Sequence, residues 1–85
     1  MAGKYTPLEH YLRDLSFTQK EVTISFEQIE RILNDKLPPS AYQYQAWWAN
    51  EKKPHHPEKI AIKNAGWKVD TIEFNKKWMK LIRAE

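Results

Sequence analysis

The absence of cysteine constrains this chain more than any other feature. A domain of 85 residues buries only part of its surface on folding, and many small domains add disulfide bridges or a thiolate zinc site. Both are excluded in a sequence without cysteine, so side-chain packing must hold the fold together. The sequence contains 4 Trp, 4 Tyr and 3 Phe, and each aromatic side chain buries roughly 150–250 Å². We therefore expect one domain with an aromatic core.

The charge is distributed unevenly along the chain. The net charge is +3, but residues 1–35 hold 4 basic and 6 acidic side chains, whereas residues 36–85 hold 10 basic and 5 acidic ones. A basic half of this kind favours a polyanionic partner, although surface lysines also serve solubility. The N-terminus lacks the apolar run of a signal peptide and no stretch is long enough for a membrane span, so we expect a cytoplasmic protein.

The first half of the sequence predicts two helices and a strand. Thr6 fits the N-cap of a helix over about 7–15, with Glu9 closing a first capping box, and apolar residues recur in this helix at helical spacing. Apolar and polar residues then alternate over 21–25, which predicts a short half-buried strand. Ser25 begins a second capping box, and the residues that follow predict a helix over 26–34.

The second half predicts two more helices and a hairpin. A third capping box opens a helix over 40–50, and proline begins a helix over 57–65. Gly66 would end that helix in a left-handed conformation. The alternation over 67–83 predicts a β-hairpin, and the apolar positions change parity near Asp70–Thr71, which indicates a bulge there.

The order α-β-α-α-α-β-β predicts an α+β domain with a small antiparallel sheet and a winged-helix-like architecture. The strand over 21–25 would pair with the hairpin, whose tip would be the wing. The helices over 26–34 and 40–50 would form a helix-turn-helix, with the second as the recognition helix. The helix over 57–65 is an addition to the simplest form of this fold.

Five short motifs carry a resemblance to a known family. They read F-x-x-I-E-x-I-L at 26–33, L-P-P-S-A at 37–41, W-W-A-N at 47–50, a histidine at position 56, and A-G-W-x-V at 65–69. Together they resemble a small bacterial domain family of unknown function. Its members occur alone or appended to nuclease-like proteins, which implies a nuclease or a replication or defence protein as a partner, in a bacterial or mobile-element setting. The resemblance implies no activity.

No residue pattern indicates catalysis, a cofactor or a metal. The three histidines are His10, His55 and His56. No pair of them has the H-x-x-x-H spacing that places two imidazoles on one helical face, so we expect no metal site. Glu27 lies four residues before Arg31, which predicts an exposed ion pair rather than acid–base chemistry. With only 2 glycines, the chain cannot form a glycine-rich phosphate loop. We expect a binding domain and not an enzyme.

Eleven polar side chains make up the expected nucleic-acid-binding surface. The N-terminus of the helix over 40–50 would offer N–H groups and a hydroxyl to a phosphate, and its glutamines would read bases. Lysines after it, on the next helix and at the hairpin tip would supply affinity for double-stranded DNA. Lys68 and Lys80 also decorate the hairpin. The expected site residues are Ser40, Tyr42, Gln43, Gln45, Asn50, Lys52, Lys53, Lys59, Lys63, Lys76 and Lys77.

The tryptophans leave two alternatives open. Trp47 and Trp48 point about 100° apart on a helix, so one should pack inside and the other at the rim. If they are accessible, they would form with Trp67 an aromatic anchor for a protein partner. Exposed aromatic rings would also suit single-stranded nucleic acid, on which bases stack.

Overall fold

The computed structural model describes residues 3–84, which form three α-helices, two short 3₁₀ helices and one three-stranded sheet. This is a mixed α+β fold, as the sequence predicts. The elements in chain order are α1 (Thr6–Arg13), β1 (Glu21–Ser25), α2 (Phe26–Leu33), the 3₁₀ helices Pro39–Tyr42 and Gln45–Trp48, α3 (Pro57–Asn64), β2 (Trp67–Glu73) and β3 (Trp78–Arg83). None of the helices within residues 3–84 has the length and apolar content that crossing a membrane requires.

The sheet is antiparallel, and the hairpin's second strand lies in its centre. The strand order is β1-β3-β2, so β1 pairs with the hairpin as expected. The β2–β3 register shifts between Val69 and Thr71, which confirms the bulge predicted near Asp70. Both β1 and β2 are therefore edge strands, and each has one row of backbone groups that faces away from the sheet.

One face of the sheet carries the core. Ile24, Met79 and Leu81 are buried on it, and helices α1 and α2 add Leu8, Leu12, Phe26 and Ile29. The alternation in β3 places Met79 and Leu81 inward and their neighbours on the opposite face. The largest buried side chains are those of Trp48 and Trp67. The core is thus built around aromatic residues, as expected from the sequence.

Helix α2 follows the sequence prediction closely. The Ser25 side chain accepts a hydrogen bond from the backbone N–H of Gln28, at 3.0 Å, and so caps the helix. The helix ends at Leu33, and Asn34 adopts a left-handed φ of 55°, which asparagine tolerates better than most residues. The ion pair expected between Glu27 and Arg31 is also present.

Helix α1 begins and ends differently from the prediction. Thr6 is its first helical residue rather than its N-cap, and the cap position, Tyr5, makes no side-chain capping bond. The Glu9 carboxylate pairs with Arg13 at 3.0 Å, instead of closing a capping box. Tyr5 is buried, so packing of its ring, rather than a cap, fixes the start of the helix.

The predicted recognition helix over 40–50 is wrong. The segment forms two 3₁₀ helices of four residues each, and Tyr44 between them is extended, with φ −118° and ψ 119°. The indole N–H of Trp48 donates to the carbonyl of Ala41 at 2.9 Å. In an α-helix, residues seven apart lie about 10.5 Å apart along the axis, so this bond requires the chain to fold back. Ser40 caps no helix, because the residue before the first 3₁₀ helix is Pro38.

Helix α3 and its end agree with the prediction. Pro57 is the first residue of the helix, and the last is Asn64. Gly66 has a φ of 85° in the connection to β2, which is the left-handed region that glycine favours. The carbonyl of Lys63 accepts the Gly66 N–H at 3.0 Å, and the Gly66 carbonyl accepts the N–H of Ala84 at 2.9 Å. The glycine therefore joins α3 directly to the sheet.

Candidate nucleic-acid interface

Asn50 closes the outer edge of strand β2. Its amide nitrogen Nδ2 donates to the carbonyl of Val69 at 2.8 Å, and its Oδ1 accepts from the Val69 N–H at 2.9 Å. These are the two bonds that a neighbouring strand would make with Val69. The expected site residue Asn50 thus uses both ends of its amide within the protein, and it fixes the chain after the second 3₁₀ helix to the sheet.

Two of the three tryptophans of the expected aromatic anchor are inaccessible. Trp48 and Trp67 are each 1% exposed. The Trp48 ring stacks on Phe26 with ring centroids 5.9 Å apart, and the Trp67 indole N–H donates to the carbonyl of Leu12 at 3.1 Å. Neither ring can serve as an anchor for a partner without unfolding the core.

Trp47 occupies the rim of the same core, as expected for one member of the pair. It is half-buried, and its ring meets Tyr5 edge-on with centroids 6.1 Å apart. The two strongly exposed aromatic side chains among the described residues are instead Phe17, at 87%, and Tyr44, at 59%.

A groove of about 330 Å³ lies between the loop after the 3₁₀ helices, helix α3 and the start of β2. Its base is apolar and includes Trp48, Ile62, Trp67 and Val69. Four lysines and one glutamate surround that base, namely Lys52, Lys59, Lys63, Lys68 and Glu51. We call this site the lysine groove. Its lining carries a surplus of three positive charges, which attracts anions.

Two of the groove lysines make contacts within the protein. Lys59 pairs with Glu51 at 3.1 Å, and its side chain is only 10% exposed. Lys63 donates from Nζ to the backbone carbonyl of Lys52. Both contacts run from helix α3 to residues 51–52, so α3 holds the loop against the groove.

The other two groove lysines have free ammonium groups. Lys52 and Lys68 are exposed, and neither forms an ion pair with any residue between 3 and 84. Lys53, next to Lys52, is also exposed and likewise unpaired within that range. Of these three lysines, Lys52 and Lys68 line the groove and Lys53 lies beside it. Lys63 is also exposed, but its ammonium already donates to the Lys52 carbonyl.

Lys68 is the one lysine of the groove lining that is not among the expected site residues. It follows the buried Trp67 in an edge strand, so its side chain points away from the core. Strand alternation predicts that direction. That it lines the same groove as Lys52 depends on the contact of Asn50 with Val69, which the alternation pattern does not predict.

The remaining expected residues of the 3₁₀ segment lie outside the groove. Gln43 and Gln45 are exposed, and Ser40 and Tyr42 are half-buried. The Tyr42 ring meets Phe26 edge-on with centroids 5.1 Å apart. Burial, and secondarily the neighbouring Glu30 carboxylate, raises the pKa of Tyr42 to about 12, so its hydroxyl is neutral at physiological pH.

Lys76 and Lys77 lie at the opposite end of the hairpin from the lysine groove. Both are exposed in the turn between β2 and β3. They line a polar pocket of about 380 Å³ together with Glu27, Glu30 and Tyr42. The acidic side chains offset part of the lysine charge there, so this end of the molecule is less attractive to a polyanion than the lysine groove.

The chain belongs to the family described as "Domain of unknown function (DUF7662)", which it matches over residues 5–84. This agrees with the resemblance found in the sequence motifs. We found no match to the chain among curated proteins or among solved structures. Among residues 3–84, no three His, Asp or Glu side chains are grouped in a way that could hold a metal ion.

Proposed function

We propose that this protein is a non-enzymatic nucleic-acid-binding domain that holds the phosphate backbone of double-stranded DNA at the lysine groove. The observation that carries the proposal is the convergence of four lysines against one glutamate around a single groove. Three of them, Lys52, Lys59 and Lys63, belong to the surface expected from the sequence. They come from two separate segments of the chain, the loop and helix α3, and the fourth comes from strand β2.

The free lysines favour contact with phosphates over contact with bases. The ammonium groups of Lys52, Lys53 and Lys68 have no acidic partner among the described residues, and lysine binds phosphate as a point charge. Such contacts release counterions and give affinity without sequence information. The domain would therefore bind duplexes of different sequence with similar affinity.

A winged-helix mode of binding has support from the hairpin but not from the 3₁₀ segment. A recognition helix inserts several turns into the major groove, whereas each 3₁₀ helix has four residues. No α-helix carries Gln43 and Gln45 into the major groove, so we do not assign base reading to these two residues. The hairpin turn with Lys76 and Lys77 is kept as a secondary contact of winged-helix type.

The two alternatives have less support. An aromatic anchor for a protein partner would lack Trp48 and Trp67, which are buried. Single-stranded nucleic acid needs exposed rings on which bases stack. The exposed rings of Phe17 and Tyr44 do not line the lysine groove, so phosphate contact to a duplex agrees best with the geometry.

The test is fluorescence anisotropy with a labelled duplex of mixed sequence, measured at several salt concentrations. We expect affinity to fall steeply with salt, and Lys52→Gln with Lys68→Gln to weaken binding strongly. The matched control is Lys20→Gln with Lys36→Gln, which removes the same charge at two exposed positions that do not line the groove. Absence of binding at low salt, or equal losses in the two double variants, would contradict the proposal.

A further inference from the structure

We infer that Asn50 and Lys59 are positioning residues of the lysine groove, and that Lys52, Lys53 and Lys68 make its phosphate contacts. This inference rests on the proposed function and assigns different roles to two groups of residues at and beside the groove. The first group holds the loop over residues 51–53, and the second meets the ligand. The distinction follows from what each side chain already touches in the protein.

The loop is held at three consecutive residues. Asn50 makes two hydrogen bonds to Val69 on the edge of β2. The carboxylate of Glu51 pairs with Lys59, and the carbonyl of Lys52 accepts from Lys63. The loop is thus attached to the sheet on one side and to helix α3 on the other, immediately before and at the lysines that face solvent.

Lys59 is poorly placed to contact a ligand. Its side chain is 10% exposed and its ammonium is 3.1 Å from the Glu51 carboxylate. To reach a phosphate it would have to leave this pairing, and Glu51 would then lose its partner and face the phosphate as a like charge. Lys52, Lys53 and Lys68 break no ion pair within residues 3–84 when they bind.

Fixing the loop in the free protein has a consequence for affinity. A flexible loop that becomes ordered on binding loses conformational entropy at that moment, and this weakens the complex. In this protein the ordering has already occurred during folding. Loss of a positioning residue should therefore lower affinity without changing the number of phosphates that are neutralised.

The slope of the logarithm of the binding constant against the logarithm of salt concentration separates the two roles. This slope changes by about 0.9 for each phosphate contact on duplex DNA. We expect Lys52→Gln and Lys68→Gln each to make the slope shallower by about that amount. Asn50→Ala, and the charge-neutral pair Glu51→Gln with Lys59→Met, should lower affinity about fivefold, as for the ordering of one flexible side chain on binding, and keep the wild-type slope.

Gln43→Ala is the control, because this exposed glutamine lies outside the groove and should change neither quantity. Hydrogen exchange of the Val69 amide verifies the Asn50 contact, since this N–H loses its acceptor in Asn50→Ala and should exchange faster, while the thermal unfolding curve shows that the domain still folds. The Glu51→Gln, Lys59→Met protein tests the same inference independently, because it removes the ion pair that attaches the loop to helix α3.

The possible failures are distinguishable. A shallower slope for the Glu51→Gln, Lys59→Met protein would make Lys59 a phosphate contact and overturn the inference, but the proposed function would stand. If the Glu51→Gln, Lys59→Met protein and the Asn50→Ala protein both keep the wild-type affinity, the inference is overturned as well. A wild-type protein without salt-dependent binding would overturn the proposed function, and the inference with it.

Discussion

Replacement of Gly66 should destabilise the domain through the backbone alone. Gly66 has a φ of 85°, and a Cβ built on it would meet no atom within 4 Å. Steric overlap therefore contributes nothing. The backbone also cannot easily turn to a more favourable φ, because the Gly66 N–H donates to Lys63 and its carbonyl accepts from Ala84. A side chain at this position must adopt the left-handed conformation or break one of these bonds.

The expected size follows from two opposing contributions. The left-handed conformation costs roughly 1–2 kcal/mol for an ordinary residue, while replacing glycine by alanine recovers about 0.4–1 kcal/mol by restricting the unfolded chain. Gly66→Ala should therefore cost about 0.8 kcal/mol, the difference between the midpoints of the two ranges. Gly66→Val should cost more than ~1 kcal/mol, since a β-branched residue resists positive φ most strongly. Gly66→Asn should lie closest to wild type, as Asn34 already adopts a φ of 55°.

Thermal and urea unfolding of the three variants measure these differences. For a domain of this size, 1 kcal/mol corresponds to a change in Tm of about 4–8 °C. We expect stability to decrease in the order glycine, asparagine, alanine, valine. A valine variant as stable as the asparagine variant would refute the reasoning, because the two differ mainly in their tolerance of the left-handed conformation.

Three further predictions concern the core, the pH dependence and the hairpin turn. Trp48→Phe should cost about 1–3 kcal/mol in urea unfolding, since it leaves a buried carbonyl without its donor; a loss below ~0.5 kcal/mol would argue against that hydrogen bond. The raised pKa of Tyr42 means that its contribution to stability is complete below pH ~10, its unfolded pKa, and is lost as the pH rises towards 12. Tyr42→Phe should remove this loss, and an unchanged alkaline unfolding profile would contradict the assignment. Lys76→Gln with Lys77→Gln, which removes the same charge, should weaken duplex binding less than the Lys52→Gln, Lys68→Gln protein does in the anisotropy assay, and an equal or larger loss would make the hairpin turn the main contact.

The elements that the sequence predicted correctly are those fixed by neighbouring residues. The strand over 21–25, the capping of α2 by Ser25, the bulge near Asp70 and the left-handed Gly66 all depend on residues within a few positions. The alternation of apolar and polar residues over 21–25 and the N-cap of Ser25 each express a local preference that the tertiary structure did not oppose. These signals were sufficient for the α+β class and for the pairing of β1 with the hairpin.

The segment over 40–50 shows where local preference failed. Its residues fit a capped amphipathic helix, but the core needs the Trp48 ring against Phe26 and its N–H on Ala41. In a continuous α-helix the Trp48 indole would lie too far from the Ala41 carbonyl, whereas the two 3₁₀ helices bring the two groups within hydrogen-bond distance. Burial of a large aromatic side chain contributes more free energy than the helix propensity of a few residues. The backbone over 40–50 therefore adopts the conformation that buries Trp48.

The sequence by itself determined that the chain must fold without a disulfide bridge or a thiolate zinc site, and that its second half is basic. It also predicted strand β1, helix α2 and the hairpin. It also supplied the lysines of the expected surface. Only the tertiary structure decided which of them lack an acidic partner among the described residues. Lys52 and Lys59 both carry a positive charge in the sequence, yet Glu51 holds one of them and leaves the other free. The pairing of charges depends on distances across the fold, because electrostatic attraction acts through space and not along the chain.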